Sequence, residues 1–148
     1  MNYQEEIENL LPKLPHRLQV SFALYCAQDV YHLVRDKNKE MIKKTLDIAE
    51  AWLRGEASAE ECRAAANAIY ATAINTVYAT AVYAAYAAAN AAANAATANA
   101  IYAAAANAAY AATANANTAN AAYKKYYEVL IDMVKSLSRV EKAIWRLE

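Results

Sequence analysis

The sequence predicts an all-α, single-domain bundle of five to six helices with close-packed, alanine-rich central helices. Three observations support this fold class. Alanine, which has the highest helix propensity, supplies 40 of the 148 residues. One glycine and two prolines leave little material for the tight turns that connect β-strands. Apolar residues recur at steps of three and four in both the N-terminal and the C-terminal parts of the chain.

The charged residues divide the chain into three regions. Fifteen basic and fifteen acidic residues give a formal net charge of zero, and all of them lie in residues 1–63 or 124–148. The 60 residues of 64–123 carry no charge. We interpret 1–148 as one domain with charged N-terminal helices, an uncharged Ala/Asn/Tyr-rich middle and an amphipathic C-terminal helix. The balanced charge argues against a nucleic-acid partner, because phosphate binding needs a basic surplus or patch.

The uncharged middle raises the question of a membrane span. Its stretches free of Asn and Thr are only about ten residues long, whereas a span needs about 20 apolar residues. Residues 1–15 lack the basic and apolar regions of a secretory signal. The sequence therefore predicts no membrane partner and a cytoplasmic location, which suits Cys26 and Cys62 as reduced core thiols. A disulfide between these two cysteines stays open.

The N-terminal region predicts three helices in order. Glu5–Leu11 forms a short first helix, which Pro12 stops. A second helix begins at His16, and its apolar row continues to about Leu33. The polar segment Asp36–Lys39 is interpreted as a turn. A third helix follows, with apolar residues on one side and charged residues on the other.

The best-defined boundary follows the third helix. Gly55 comes directly after the last apolar residues of that helix, where a left-handed C-terminal cap is common. Ser58 precedes Glu61 by three residues, which is the spacing of a capping box. These signals predict that the third helix ends near Gly55 and that a fourth helix begins near Ser58.

In the alanine-rich region the usual stop signals are missing. Sixty continuous helical residues would measure about 90 Å, and a compact domain of this size has a radius of gyration of about 15 Å. The run must therefore fold back or form a rod, and asparagine is the residue taken to break it. Breaks are predicted near Asn90–Asn94 and Asn115–Asn120. The predicted helices cover about 59–89, 95–114 and 120–147.

An internal repeat gives the middle region a pattern of Asn and Tyr. Residues 67–82 and 99–114 match at 9 of 16 positions, and within each segment Asn and Tyr recur after eight residues. The pattern fits a binding surface, or drift in a sequence of few residue types, and drift is favoured as its origin. The candidate partner-binding residues are the four repeat tyrosines and a C-terminal tryptophan, namely Tyr70, Tyr78, Tyr102, Tyr110 and Trp145.

Candidates for catalysis or metal binding are few. His16 and His32 are the only histidines, and no metal-ligand spacing accompanies them. Cys26 and His32 are six residues apart, which places them on different faces of a helix. We therefore predict no catalytic residue, no metal site and no cofactor, and we interpret both histidines as core or capping residues. The chain is not expected to be an enzyme.

Two segments resemble a family of small bacterial proteins. They are LPHRLQVSFALYCAQDVYHLV (Leu14–Val34) and AEAWLRGEASAEECRAAA (Ala49–Ala66). The family pattern is a helix ending in His-Leu, a helix ending in Trp-Leu-Arg-Gly-Glu, a short Ser-Glu-Glu start and a long Ala/Tyr run. In this layout the chain is similar to the alpha-helical immunity-like proteins, although it carries Asn where they tend to carry charged residues. The resemblance implies a binding protein that inhibits a bacterial toxin, and it brings no residue-level site.

The function we expect is therefore a non-catalytic protein-binding module, an immunity-like inhibitor of a bacterial toxin. An alternative is a structural or self-associating protein of a phage or mobile element, since an uncharged surface could pack against its own copies. A minor alternative is an alanine-rich ice-binding protein. Its Thr-Ala-Asn triplets begin at Thr97, Thr113 and Thr118, intervals of 16 and 5 residues. These intervals do not give the stripe that a regular spacing of about 11 residues produces.

Overall fold

All the regular structure in the described part of the chain is helical. The computed structural model describes residues 1–33, 36–73, 79–93, 105–109 and 116–137. No strand occurs among these residues, which confirms the all-α prediction. No helix within the same ranges is long and apolar enough to cross a membrane.

Seven α-helical segments occur among the described residues, slightly more than the five to six that the sequence predicts. Two short 3₁₀ helices, Leu11–Lys13 and Tyr31–Leu33, supplement them. The α-helices are α1 (Tyr3–Leu10), α2 (His16–Asp29), α3 (Asp36–Leu53), α4 (Ala59–Ala73), α5 (Ala79–Ala93), α6 (105–109) and α7 (Ala116–Lys135).

The first helix is short and is fixed by its N-terminal cap. The Asn2 side chain accepts a hydrogen bond from the backbone N–H of Glu5 at 3.1 Å. Ile7 and Leu11 are fully buried, so the apolar side of α1 belongs to the core. Pro12 lies in the 3₁₀ helix that ends α1, where a missing N–H costs little.

The connection between α2 and α3 differs from the prediction. α2 ends at Asp29, and the 3₁₀ helix Tyr31–Leu33 occupies residues predicted to continue it. The segment Asp36–Lys39, interpreted as a turn, is the first turn of α3. That interpretation is wrong because Asp and Asn are favoured at helix N-termini and lysine is a good helix former. A polar stretch can therefore open a helix as readily as it ends one.

The boundary between α3 and α4 lies at the predicted signals. Gly55 has a φ of +77°, the left-handed conformation expected of it. The N–H of Glu56 donates to the carbonyl of Ala51 at 2.8 Å, the wider of the two hydrogen bonds of a Schellman motif. Ser58 Oγ accepts from the N–H of Glu61 at 3.1 Å, and the Glu61 carboxylate accepts from the N–H of Ser58 at 3.1 Å. The predicted cap and capping box are both confirmed.

The helix predicted over residues 59–89 is two helices. α4 ends at Ala73, α5 begins at Ala79, and the two pack against each other, which one straight helix cannot do. The residues between them, 74–78, form the longest alanine-free stretch of the uncharged middle. All five are weaker helix formers than alanine. No break was predicted between Ala73 and Ala79, whereas α5 ends at Ala93, inside the break predicted near Asn90–Asn94.

The central helix of the described bundle is α5. It contacts α2, α3 and α4, and the seven alanines within residues 84–92 are all buried. Because each of these side chains is a single methyl group, the neighbouring helices can approach closely. An ionised side chain on these faces would lose its hydration, which explains why α5 carries no charge. The predicted close-packed, alanine-rich central helix is confirmed here.

The last described helix, α7, packs against α1 and α2 and buries Tyr123, Tyr126 and Leu130. It begins at Ala116, inside the predicted break. It ends at Lys135, so the prediction of a helix that continues from 120 to 147 is wrong.

The end of α7 has a local cause. The Ser136 hydroxyl donates to the carbonyl of Met133 at 2.6 Å, and this side-chain bond competes with the helical ladder. Residues 138–148 lie outside the described residues. Of the helix predicted over 95–114, the structure describes 105–109, which are helical.

Candidate protein-binding site

The helices α3 and α4 form an antiparallel αα-hairpin with a short connection, residues 54–58. Both helices contact α5, and the hairpin buries Ile42 and Ile69 in the core. The Cys62 thiol lies 4.0 Å from the carbonyl oxygen of Ile48. The first turn of α4 therefore lies beside the second half of α3. Successive turns of the two helices lie side by side and form the outer face of the hairpin.

A groove of about 710 Å³ runs along the outer face of this hairpin. We call it the α3–α4 groove. Its residues recur at helical spacing, so they form one stripe on each helix. The lining residues are Glu40, Met41, Lys44, Thr45 and Ile48 on α3 and Glu61, Ala64, Ala65 and Ala68 on α4.

The floor of the α3–α4 groove is apolar and open to solvent. Ala64 and Ala68 are exposed, and Ala65 is half-buried. Met41 is 39% exposed, and among the described residues it is, after the N-terminal Met1, the second large hydrophobic residue with an exposed side chain. Thr45 satisfies its buried hydroxyl by donating to the Met41 carbonyl at 3.0 Å. A contiguous apolar patch, rather than a single exposed apolar side chain, is typical of a surface that contacts another protein.

Charged side chains border this floor. Glu40 and Lys44 are exposed and belong to none of the ion pairs formed within the described residues. Glu61 uses one carboxylate oxygen in the capping box of α4. The neighbouring Lys43 instead pairs with Asp47 at 3.4 Å, on a different side of α3. A polar rim around an apolar centre is the usual arrangement of a protein interface.

A second cluster, around Trp52, joins three helices at the opposite end of α3. The rings of His16 and Trp52 meet edge to face with centroids 5.5 Å apart, and the Arg17 guanidinium lies 5.6 Å from the Trp52 centroid. His16 Nε2 donates to the Ala91 carbonyl at 2.7 Å, and Arg17 donates to the Leu53 carbonyl. These contacts tie α2 to α3 and α5, so His16 and Trp52 act as packing residues.

A third cluster joins α2 to α7. The hydroxyl of Tyr126 donates to one Asp29 oxygen at 2.9 Å, and the Lys125 ammonium donates to the other. Burial raises the pKa of the Tyr126 hydroxyl, and its hydrogen bond with Asp29 raises the pKa of Lys125. Burial also raises the pKa of the Cys26 thiol well above its ordinary value, and the charge of Asp29 raises it further. A nucleophilic cysteine needs the opposite shift.

Both cysteines, Cys26 and Cys62, are buried free thiols. The two cysteines therefore form no disulfide with each other in this structure. His32 is exposed on the 3₁₀ helix after α2. In the part of the chain that the structure describes, no three His, Cys, Asp or Glu side chains are grouped so that they could hold a metal ion.

The five partner-binding residues predicted from the sequence are not tested. Tyr70 lies in α4, but its side chain falls outside what the structure describes. Tyr78, Tyr102, Tyr110 and Trp145 lie outside the described residues altogether. All five therefore stay predictions.

The α3–α4 groove was not predicted from the sequence. The available signal was Met41, which shares its turn of α3 with Glu40 and Lys44 and therefore stands among charged residues. An apolar residue in that position marks the edge of the buried face. Recognising a groove there also required knowing that the alanines of α4 stand beside it, and this depends on how the hairpin packs.

Comparison with known protein families gives a match. A family model described as Imm-5 like putative immunity protein matches residues 9–137. No curated protein and no solved structure matches the chain. The family match covers α1 from Asn9 onward and every other described helix.

Proposed function

Because the chain belongs to the Imm-5 like putative immunity protein family, we propose that it binds a bacterial protein toxin and inhibits it without catalysis. The match over residues 9–137 is the observation that carries this proposal. Inhibition would follow from complex formation, in which the bound protein covers a surface that the toxin needs. We place this encounter in the cytoplasm, in line with the expectation from the sequence.

The α3–α4 groove supports the proposal as the binding surface. It combines an apolar floor at Met41 with a charged rim at Glu40 and Lys44, which are not engaged in ion pairs with other described residues. Apolar contact supplies most of the affinity of such interfaces, while rim charges set specificity and association rate. The tyrosines at 70, 78, 102 and 110 and Trp145 are proposed as further anchors.

The buried thiols agree with a non-catalytic role. Burial raises the pKa of both Cys26 and Cys62, so the thiol form persists at neutral pH. The histidine closest to the core, His16, is engaged with a backbone carbonyl and the Trp52 ring. These side chains contribute to packing, and we expect a partner to be bound through exposed side chains at the surface.

The proposal is tested by co-expression with the toxin encoded beside the gene. We expect the protein to restore growth of cells that produce the toxin and to co-purify with it at a fixed stoichiometry. An immunity protein of another family, produced at the same level, is the control and should give no rescue. Absence of both rescue and complex would contradict the proposal for that toxin.

Self-association and ice binding stay predictions from the sequence. The first depends on an exposed uncharged surface. The alanines of α5 within residues 84–92 are buried and do not supply one, whereas Ala64 and Ala68 of α4 are exposed. Light scattering at high concentration distinguishes a monomer from an assembly. A measurement of thermal hysteresis tests ice binding directly.

A further inference from the structure

The length of the α3–α4 groove matches a short piece of helix. Its lining runs from Glu40 to Ile48 on α3 and from Glu61 to Ala68 on α4. At 1.5 Å per residue these segments are about 12 and 11 Å long. A helix that docks in a groove uses side chains at positions i, i+3 or i+4, and i+7, which span about the same distance.

The floor of the groove suits a helix better than an extended segment. Ala64 and Ala68 present only methyl groups between the two helices, so a third helix can approach closely. Met41 borders the same floor, and its flexible thioether adapts to an irregular apolar surface. A β-strand docked here would find no sheet edge to pair its backbone N–H and C=O groups.

Three charged residues on the rim of the groove determine which charges a docked segment should carry and in which order. Glu40 and Glu61 lie toward opposite ends of the groove, because the hairpin is antiparallel and the start of α4 faces Ile48. Lys44 lies one turn from Glu40, between the two carboxylates. A glutamate and a lysine four residues apart commonly pair on a helix, yet Glu40 and Lys44 do not. Both charges are therefore available to an incoming segment.

We propose that the α3–α4 groove binds an amphipathic α-helix of the partner protein, with a basic side chain at each end of its apolar stripe and an acidic side chain between them. The apolar stripe covers Met41 and the alanine floor, and the basic ends meet Glu40 and Glu61. Because Lys44 lies closer to Glu40, the acidic side chain fixes the direction in which the helix lies. This inference rests on the proposed function and specifies which part of the toxin is bound.

Two synthetic peptides test the chemistry of the groove without the toxin. Each is a helical peptide of about 16 residues with the same apolar stripe. One carries lysine at both ends and glutamate between them, and the other has every charge reversed. We expect fluorescence anisotropy to show that the full-length protein binds the first peptide about tenfold or more tightly than the second. This preference should weaken as salt is added.

Variants of the protein locate the binding. Ala64→Leu combined with Ala68→Leu fills the floor of the groove with side chains of similar helix propensity. We expect this pair to weaken binding of the basic-ended peptide about tenfold or more. Ala121→Leu places the same side chain at an exposed position of α7 and should leave binding unchanged. Glu40→Lys should reduce the preference between the peptides, and circular dichroism with thermal unfolding verifies that each variant is folded.

Several outcomes would overturn the proposal. They are equal affinity for the two peptides, no binding of either peptide by the wild-type protein, and undiminished binding by the folded Ala64→Leu/Ala68→Leu variant. Failure of the proposed function is seen in a different assay. If the peptides behave as expected but the protein gives no protection from the toxin, the groove chemistry stands and the toxin proposal is wrong. If the protein protects cells from the toxin but binds neither peptide, the toxin proposal stands and the proposal for the groove is wrong.

Discussion

Alanine serves two opposite purposes in neighbouring helices of this protein. In α5 the seven alanines of residues 84–92 are all buried and allow α2, α3 and α4 to close around them. In α4 Ala64 and Ala68 are exposed, and the same small side chain leaves a groove open beside α3. A methyl group thus removes space between helices in one region and creates space in the other.

The difference depends on what covers each helix. Both helices have high helix propensity, and neither carries a charge between residues 64 and 73 or between 79 and 93. α5 has packed neighbours on several sides, whereas Ala64 and Ala68 of α4 line an open groove beside α3. Composition therefore predicts the helices, and tertiary packing decides whether an alanine contributes to stability or to a binding surface.

The largest expected effect comes from enlarging an alanine of α5. Ala88 is fully buried, so Ala88→Leu should overpack the core and lower the free energy of unfolding by about 3 kcal/mol. Ala68→Leu, at an exposed position of α4, should change it by less than about 0.5 kcal/mol. Urea unfolding of both variants measures the contrast. Similar losses of unfolding free energy in the two variants would contradict the distinction between buried alanines in α5 and exposed alanines in α4.

A polar contact replaces alanine packing where α7 meets α2. Asp29→Ala would leave the buried Tyr126 hydroxyl without its acceptor, at a cost of about 2 kcal/mol in unfolding free energy. Adding Tyr126→Phe should recover part of that loss, because no unsatisfied hydroxyl remains. Asp132→Ala, an exposed change on α7, is the control. Additive losses in the double variant would show that the two residues act independently.

High pH should destabilise the buried core. Burial raises the pKa of the Cys26 thiol in the folded protein, whereas the unfolded thiol has a pKa of about 8.5. Above that pH the unfolded state loses its proton first, so stability is complete below it and falls as pH rises. Unfolding free energy should therefore decrease as the pH is raised from 8 to 10.

Cys26→Ala separates this contribution from other groups. The variant should show a smaller decrease over the same pH range, although Tyr126 still contributes in the same direction. A decrease of unchanged size would mean that the thiol titrates alike in both states. Chemical denaturation at several pH values supplies the measurement.

The α3–α4 hairpin, which forms the groove, depends on the C-terminal cap of α3 at Gly55. An added Cβ at Gly55 meets nothing from the rest of the fold within 4 Å, so Gly55→Ala creates no clash with a neighbouring element. Its cost comes from the φ of +77°, which should lower the unfolding free energy by about 1 kcal/mol. Ala57→Gly, in the same connection, tests whether any change there has this effect. A Gly55→Ala protein as stable as wild type would contradict the assigned role.

The sequence predicted the parts of this fold that local chemistry determines. Gly55 and the Ser58–Glu61 pair mark helix ends through their own backbone geometry, so they can be identified without a structure. The separation of α4 from α5 was missed because the breaks were placed near Asn90–Asn94 and Asn115–Asn120. The loss of alanine over residues 74–78 is a weaker signal, spread over five residues.

The candidate site was harder to predict for a physical reason. Met41 and Ala68 are 27 positions apart in the sequence and share a groove because α3 and α4 pack as an antiparallel pair. Nothing local to either residue indicates that neighbour. The prediction of a polar turn at Asp36–Lys39 was also wrong for a physical reason. The same residue types are favourable in a turn and at a helix N-terminus.

The affinity of the Ala64→Leu/Ala68→Leu variant for the toxin encoded beside the gene tests the central claim most directly. Isothermal titration and urea unfolding are measured on the same preparation, with Ala121→Leu as the control. We predict that filling the groove weakens toxin binding about tenfold or more, while the free energy of unfolding stays within about 0.5 kcal/mol of wild type. Wild-type affinity in a folded, groove-filled variant would contradict the assignment of this face as the binding surface.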